Sequence, residues 1–407
     1  MIRNRDFVVF SDDWGRHPFS CQHIMRHFLE GNRLLWVHTI GLRTPRLSWY
    51  DLKRSIGKVR SWLVPATETE PLDLPANLRI VSPVMLPFNS VKSVRDWNRA
   101  SVVRTVGKAM EELGMRSPIL LATLPNASEY SGAFGERLTV YYCVDDFVHW
   151  PGMNQPELVR AMEESLLQQA DLVVVTSSGL QQTRKDRRGR SFLLPHGVDL
   201  RHFCREGLVE PPPALRGIQA PIIGFYGLLD ERLDLELLRG LLRHRPGWSF
   251  VFIGNSLIPL DDLKTHPNFY HIPAVSYHDL PGYAACFNAA IIPYVVDQRT
   301  ESINPLKLRE YLATGKSVVS TRLPEAAALQ PAVRVADDVA SFARAIEQGL
   351  AEPPQVGLSR LASLRGHLWS DRAEQLSAWI EEALHEARLG NPGPSGMADA
   401  RSGWRTA

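Results

Sequence analysis

Apolar runs of strand length recur along this chain, with helical stretches between them. FVVF fills residues 7–10, LLWVHTI 34–40, PILLATL 118–124, LTVYYCV 138–144, ADLVVVTS 170–177 and SFLLP 191–195. Strands so uniformly apolar are buried on both faces, as in a parallel sheet covered by helices. Cys21 to Glu30 reads as a helix stopped by Gly31 and Asn32, and Glu157 to Gln169 as another. The alternation predicts a doubly wound α/β sheet.

The pattern breaks at GLVEPPPALRGIQAP, residues 207–221, and then restarts. PIIGFYG, WSFVFIG, NAAIIPY and SVVST read as strands; LDLELLRGLLRHRP, HDLPGYAACF and ADDVASFARAIEQGL read as helices. A chain of 407 residues has room for two such units. The expected organisation is a first Rossmann-like domain over 1–206, a linker over 207–221 and a second domain over 222–366. A helix follows over 367–390, then a Gly/Pro/Ser-rich tail over 391–407 that reads as disordered. In that helix Ser370 is the expected N-cap, and Leu376, Trp379 and Leu384 fall near one face.

A net charge of +2 argues against a dedicated nucleic-acid binder. Cys21, Cys143, Cys204 and Cys286 are widely spaced and form no CxxC pair, so neither a zinc site nor a disulfide framework is expected. The N-terminus lacks the apolar run and cleavage site of a signal peptide, and no apolar stretch reaches the ~20 residues that span a bilayer. A cytoplasmic protein is expected. Between Arg33 and Arg60 seven Lys/Arg face one acid, Asp51. There Leu52, Ile56, Val59 and Leu63 recur at helical spacing beside Trp49 and Trp62. Such a stretch suits either a core-facing helix with a solvated basic face or peripheral binding to an anionic membrane, here the inner face of the plasma membrane.

The most informative segment is TESINPLKLREYLATGKSVVS, residues 300–320. Asn304 is a good N-cap, Pro305 suits the first helical position, and Gly315 stops the helix. The N-terminus of such a helix favours an anion, and Lys307 adds a full charge there. Glu310 lies one turn, ~5.4 Å, further along the same face. A nucleoside diphosphate fits that spacing, with the phosphates at Lys307 and the ribose hydroxyls at Glu310. An ordinary surface Lys–Glu pair has the same spacing.

The segment resembles the donor-binding signature of the GT-B glycosyltransferases known as glycosyl transferases group 1, a retaining, family 4-like type. Pro305, Lys307, Glu310, Tyr311, Leu312, Ala313, Gly315, Val318 and Val319 carry the match. LLPHGVDLRHF (193–203) is similar to the element that closes the first domain, with His196 where Asn is usual. IIGFYGLLDERLD, HIPAVSYHDLPGYAACFNAAIIPY and WSDRAEQL resemble further parts of the family, closest to a subgroup of bacterial cell-surface polysaccharide enzymes. The resemblance implies two Rossmann-like domains facing across a cleft, with a C-terminal helix crossing back to the first. It places Glu310, Lys307, Arg232, Gly227, Asn304, Pro305 and Gly197 at the donor. Two departures stand out. The family's first Glu falls on Ser302, with Glu301 one residue off register, and its Arg–Lys pair is reduced to Arg232.

Ligands of doubly wound sheets bind beyond the carboxyl ends of the strands. Two polar loops lie there. In the first, Gly15 lets backbone approach a ligand, and Arg16 and His17 are candidates to meet the diphosphate or the acceptor. In the second, Asp145, Asp146 and His149 are the candidate catalytic residues. The chain has no D-x-D motif, and the resemblance implies no bound metal and no cofactor. The expectation is transfer of a hexosyl group from a nucleotide-diphosphate sugar to a lipid-linked or polysaccharide acceptor in cell-surface or exopolysaccharide biosynthesis. A sugar-nucleotide epimerase and a non-catalytic scaffold of the same fold are the alternatives.

Overall fold

The computed structural model describes residues 1–15, 18–39, 42, 74–150, 152–204 and 210–390. Arg16, His17, the basic stretch over residues 49–63 and the 391–407 tail lie outside them.

Two all-parallel sheets organise the chain. The first has the order β3-β2-β1-β4-β5-β6-β7. Its strands are β1 Asp6–Ser11, β2 Arg33–His38, β3 Leu78–Val81, β4 Ile119–Ala122, β5 Leu138–Cys143, β6 Leu172–Val175 and β7 Phe192–Leu193. The second has the order β10-β9-β8-β11-β12-β13. Its strands are β8 Ile222–Tyr226, β9 Ser249–Ile253, β10 Phe269–Ile272, β11 Ala289–Ile292, β12 Ser317–Ser320 and β13 Val333–Val335. Both sheets reverse strand order beside their first strand, which opens a crevice at that edge.

The central strands are the apolar runs seen in the sequence: β4, β5, β6, β8, β9, β11 and β12 are buried at every position. Strands β3, β10 and β13 are legible only in the structure. All three are sheet edges, with sequences LRIV, FYHI and VRV that alternate or mix burial. An edge strand is covered less, so it needs no continuous apolar run.

The helix Trp369–Gly390 returns to the first unit. Trp369, Ala373, Leu376, Ile380 and Leu384 are buried in one cluster with Phe7, Ile24, Met25 and Phe28. Ser370 lies inside this helix rather than at its N-cap. The capping is done instead by Asp371, whose Oδ2 accepts from the Leu368 N–H at 2.8 Å. The outgoing and returning crossings touch: the Val198 N–H donates to the His367 carbonyl at 3.0 Å, and Val198 bridges Leu368 in parallel.

Candidate active site

The helix Leu306–Ala313 follows β11 and precedes β12. Gly315 ends it at φ 73°, a conformation that favours glycine. Its start is one residue later than expected, with Pro305 at the cap position rather than inside the helix. Asn304 does not cap it. The Asn304 Nδ2 donates to the Thr176 carbonyl at 2.7 Å, just past β6, and its Oδ1 accepts from Arg309 Nη1 at 2.9 Å. A tertiary contact has claimed the amide that the local pattern assigned to the helix, and Asn304 ties the two units together.

Lys307 and Glu310 meet the end of β8. The Tyr226 hydroxyl donates to Glu310 Oε2 at 2.8 Å, and the Tyr311 hydroxyl accepts from the Tyr226 N–H at 2.9 Å. Burial pushes the Glu310 carboxyl above its usual value, while the Tyr226 hydrogen bond and the Lys307 charge pull it back. Lys307 Nζ lies 3.3 Å from the Tyr294 hydroxyl and 5.6 Å from the Phe225 ring centroid. Its aliphatic end fills the space over Gly227. A Cβ built there would fall 2.2 Å from Lys307 Cε, and Gly227 has φ 133°. The positive φ favours glycine, and any side chain there would push the Lys307 chain aside.

Arg232 approaches the same Tyr294 ring, 5.5 Å from its centroid. Asp230, 1% exposed, takes this guanidinium bidentately, with Nη2 to Oδ2 at 2.6 Å. Arg232 is therefore largely neutralised. Lys307 has no ion-pair partner within bonding range among the described residues, which leaves it the freer cation for a phosphate.

A crevice joins this region to the first unit. Asp145, Asp146, His149 and Trp150 line one side, and Glu231, Arg232, Arg299 and Ile303 the other. The loop after β5 and the loop after β8 thus face each other, although 80-odd residues of sequence separate them. Asp146 is buried and accepts from His149 Nδ1 at 2.9 Å and from Arg184 Nη2 at 2.7 Å. Asp146 therefore orients His149, leaving Nε2 as the proton-accepting atom of the neutral ring. Asp145 accepts from the Trp150 indole N–H and the Asp146 N–H. Burial raises its pKa against the pull of Trp150 and Arg232. With both carboxylates committed, His149 is the better candidate for proton transfer.

Gly15 sits at φ 85° beyond β1. Gly197 lies at the junction with the returning helix: a Cβ there would meet the Trp369 ring at 2.7 Å and its Cα at 2.9 Å. His196 is buried beside it and shares a 2.7 Å hydrogen bond with Ser20 Oγ. Ser302, in the position of the family's first Glu, accepts from Ser177 Oγ through its carbonyl, and Glu301 is exposed. Tyr226 and Tyr294 were missed from sequence. Each lies at or just past the carboxyl end of a strand, and reading the residues at strand ends would have found them.

Two parallel sheets, each with its crevice edge, and a returning C-terminal helix constitute the GT-B architecture. Sucrose-phosphate synthase from Thermosynechococcus elongatus superposes with a TM-score of 0.66 at 16% identity, covering 94% of this chain and 100% of that one. Anabaena HepE in complex with UDP-glucose gives 0.65 at 11% identity, covering 93% and 100%. α,α-Trehalose 6-phosphate synthase from Burkholderia multivorans gives 0.62 at 13%, covering 96% and 100%. At such identities the likeness establishes the fold. No family model matches the chain. Among curated proteins, the Bacillus subtilis (strain 168) protein described as "Putative teichuronic acid biosynthesis glycosyltransferase TuaH" is 26% identical over 182 residues. That match spans 43% of this chain and 46% of the relative, so about half of each.

Proposed function

We propose that this chain is a glycosyltransferase whose donor is a nucleotide-diphosphate sugar. The observation that carries the reading is the Lys307–Glu310 face. A cation with no ion-pair partner within bonding range among the described residues and a carboxylate stand a turn apart on a helix at the carboxyl edge of the second sheet, over a glycine that keeps backbone close. In this reading Lys307 meets the diphosphate, Glu310 accepts from the ribose hydroxyls and Arg232 supports the diphosphate from the β8 loop. His149, oriented by Asp146, deprotonates the acceptor hydroxyl or orients it for transfer.

The structures of similar fold include a complex with UDP-glucose, which supports a uridine donor. The teichuronic-acid name of the relative, matched over about half its length, supports a lipid-linked or polysaccharide acceptor in cell-surface glycan assembly. The reading needs no bound divalent cation, and chelation should leave activity intact. Among the described residues no helix is long and apolar enough to cross a membrane.

The test is thermal unfolding with UDP, GDP, ADP and dTDP. A ligand at a hundredfold excess over Kd adds about 2.7 kcal/mol of stability. A shift with one nucleotide, lost in Glu310→Ala and Lys307→Ala, supports the reading; no shift with any of them overturns it.

A further inference from the structure

The contacts behind His149 continue past Asp146 into the first unit. Arg184, at the end of the helix Ser178–Thr183, places Nη2 2.7 Å from Asp146 Oδ1 and 3.2 Å from Glu163 Oε2. Glu163 stands on the buried face of the helix Pro156–Gln169 with Val159, Met162 and Leu166. Its Oε1 accepts from the Tyr141 hydroxyl at 2.7 Å and from Cys143 Sγ at 3.6 Å. Asp146 and Glu163 are each 4% exposed. Burial works against the Arg184 charge, but Glu163 and Asp146 hold its pKa above the ordinary guanidinium value. A carboxylate in an apolar helix stripe is costly to the fold, and an aliphatic side chain would often serve the packing as well. Packing alone gives no reason for Glu163.

The charges in this network do not cancel. Two carboxylates share one guanidinium, which leaves a single negative charge, and His149 is the remaining side chain bonded to Asp146. The other charged groups around the ring are committed elsewhere. Arg232 is held by Asp230, Arg299 by Asp297 and Glu231, and Asp145 by the Trp150 indole and the Asp146 N–H. Glu157 and Arg160, nearer the start of the Glu163 helix, are exposed and pair with each other, and Glu164 and Lys185 are exposed. We propose that Arg184 and Glu163 are positioning residues that set the charge Asp146 presents to His149, keeping one negative charge to receive the imidazolium formed when the acceptor is deprotonated. In that step the acceptor's O–H proton passes to His149 Nε2 and its oxygen bonds the sugar's anomeric carbon. The bond from that carbon to the diphosphate breaks, with the electron pair going to the phosphate oxygen. The imidazolium then brings the buried group to neutrality. This assignment rests on the reading of His149 as the proton acceptor.

NMR titration of the full chain, isotope-labelled at histidine, tests it without substrate; the His149 resonance is the one lost in His149→Ala. Arg184→Gln leaves two buried carboxylates uncompensated and should move the His149 titration midpoint up by about one pH unit. Glu163→Gln gives the guanidinium wholly to Asp146 and should move it down by about one. Arg184→Lys keeps the charge and should stay near wild type. A tether that merely holds the loop would give no shift, or shifts of one sign, and either result overturns the proposal. If Arg184→Gln does not fold, the downward shift in Glu163→Gln decides alone. The acid limb of turnover, measured with the nucleotide sugar whose nucleotide raises the unfolding midpoint, should move with the resonance. Resonances that shift in opposite directions while that limb stays fixed support the network and overturn the role of His149 in the proposed function.

Discussion

Gly227 and Lys307 occupy one another's space: the glycine lacks the Cβ that would fall 2.2 Å from Lys307 Cε. The lysine therefore keeps its position only while residue 227 has no side chain. Gly227→Ala should displace the ammonium and strain a backbone at φ 133° by about 1–2 kcal/mol. UDP affinity, read by calorimetry, should fall about tenfold, as expected for loss of one charge-assisted contact of ~1.5 kcal/mol. Unaltered affinity would remove Lys307 from the phosphate site.

Glu310 should trade stability for binding. Burial raises its folded-state pKa above the unfolded value, so keeping it ionised costs the fold at neutral pH. That cost disappears as pH falls below the unfolded value, where the group is protonated in both states. Glu310→Gln should therefore melt higher than wild type at pH 7, and the gap should close as pH falls through the carboxylate range. The same variant should bind nucleotide about tenfold more weakly. A lower melting temperature at pH 7 would contradict this account.

His149→Ala should lower turnover by about 10²–10⁴-fold while leaving nucleotide affinity in place, the signature of a proton-transfer group. Asp146→Asn should act in the same direction but less, because Asp146 works through the ring it orients. If His149→Ala weakens donor binding and spares turnover, the crevice serves the donor and not the chemistry.

His196 predicts an acid-sensitive fold. Burial, with the Arg309 and Arg372 charges adding to it, holds its pKa down to about 3. Its folded pKa thus lies below the unfolded one. The contribution to stability is complete above the ordinary imidazole range and declines as pH falls from there toward the folded value. The slope is at most about 1.4 kcal/mol per pH unit for one group. His196→Asn should flatten the dependence of denaturant midpoint on pH between 6.5 and 4; an unchanged slope would assign the acid loss to other groups.

The sequence showed the fold where burial is continuous and lost it where coverage is partial. Strands β4, β5 and β8 are legible as apolar runs, whereas LRIV, FYHI and VRV at the edges look like loop. The Leu306–Ala313 helix was legible because its punctuation, Pro305 and Gly315, is local. The use of Asn304 was not, since Thr176, its partner, is 128 residues away. The same holds for Gly197, glycine because Trp369 returns to lie on it, and for Asp146, which pairs with Arg184. Long-range contacts decide which of several competent side chains is left free to do chemistry.

The returning helix also sets an order of events during synthesis. Trp369, Ala373, Leu376, Ile380 and Leu384 complete a core whose other members include Ile2, Phe7 and Met25. A ribosome releases the whole second sheet between those two sets of residues. The first unit therefore leaves the exit tunnel with an apolar face still open, and it closes only when the later helix arrives. The domain made first finishes folding last, and its waiting surface is where a chaperone would be needed.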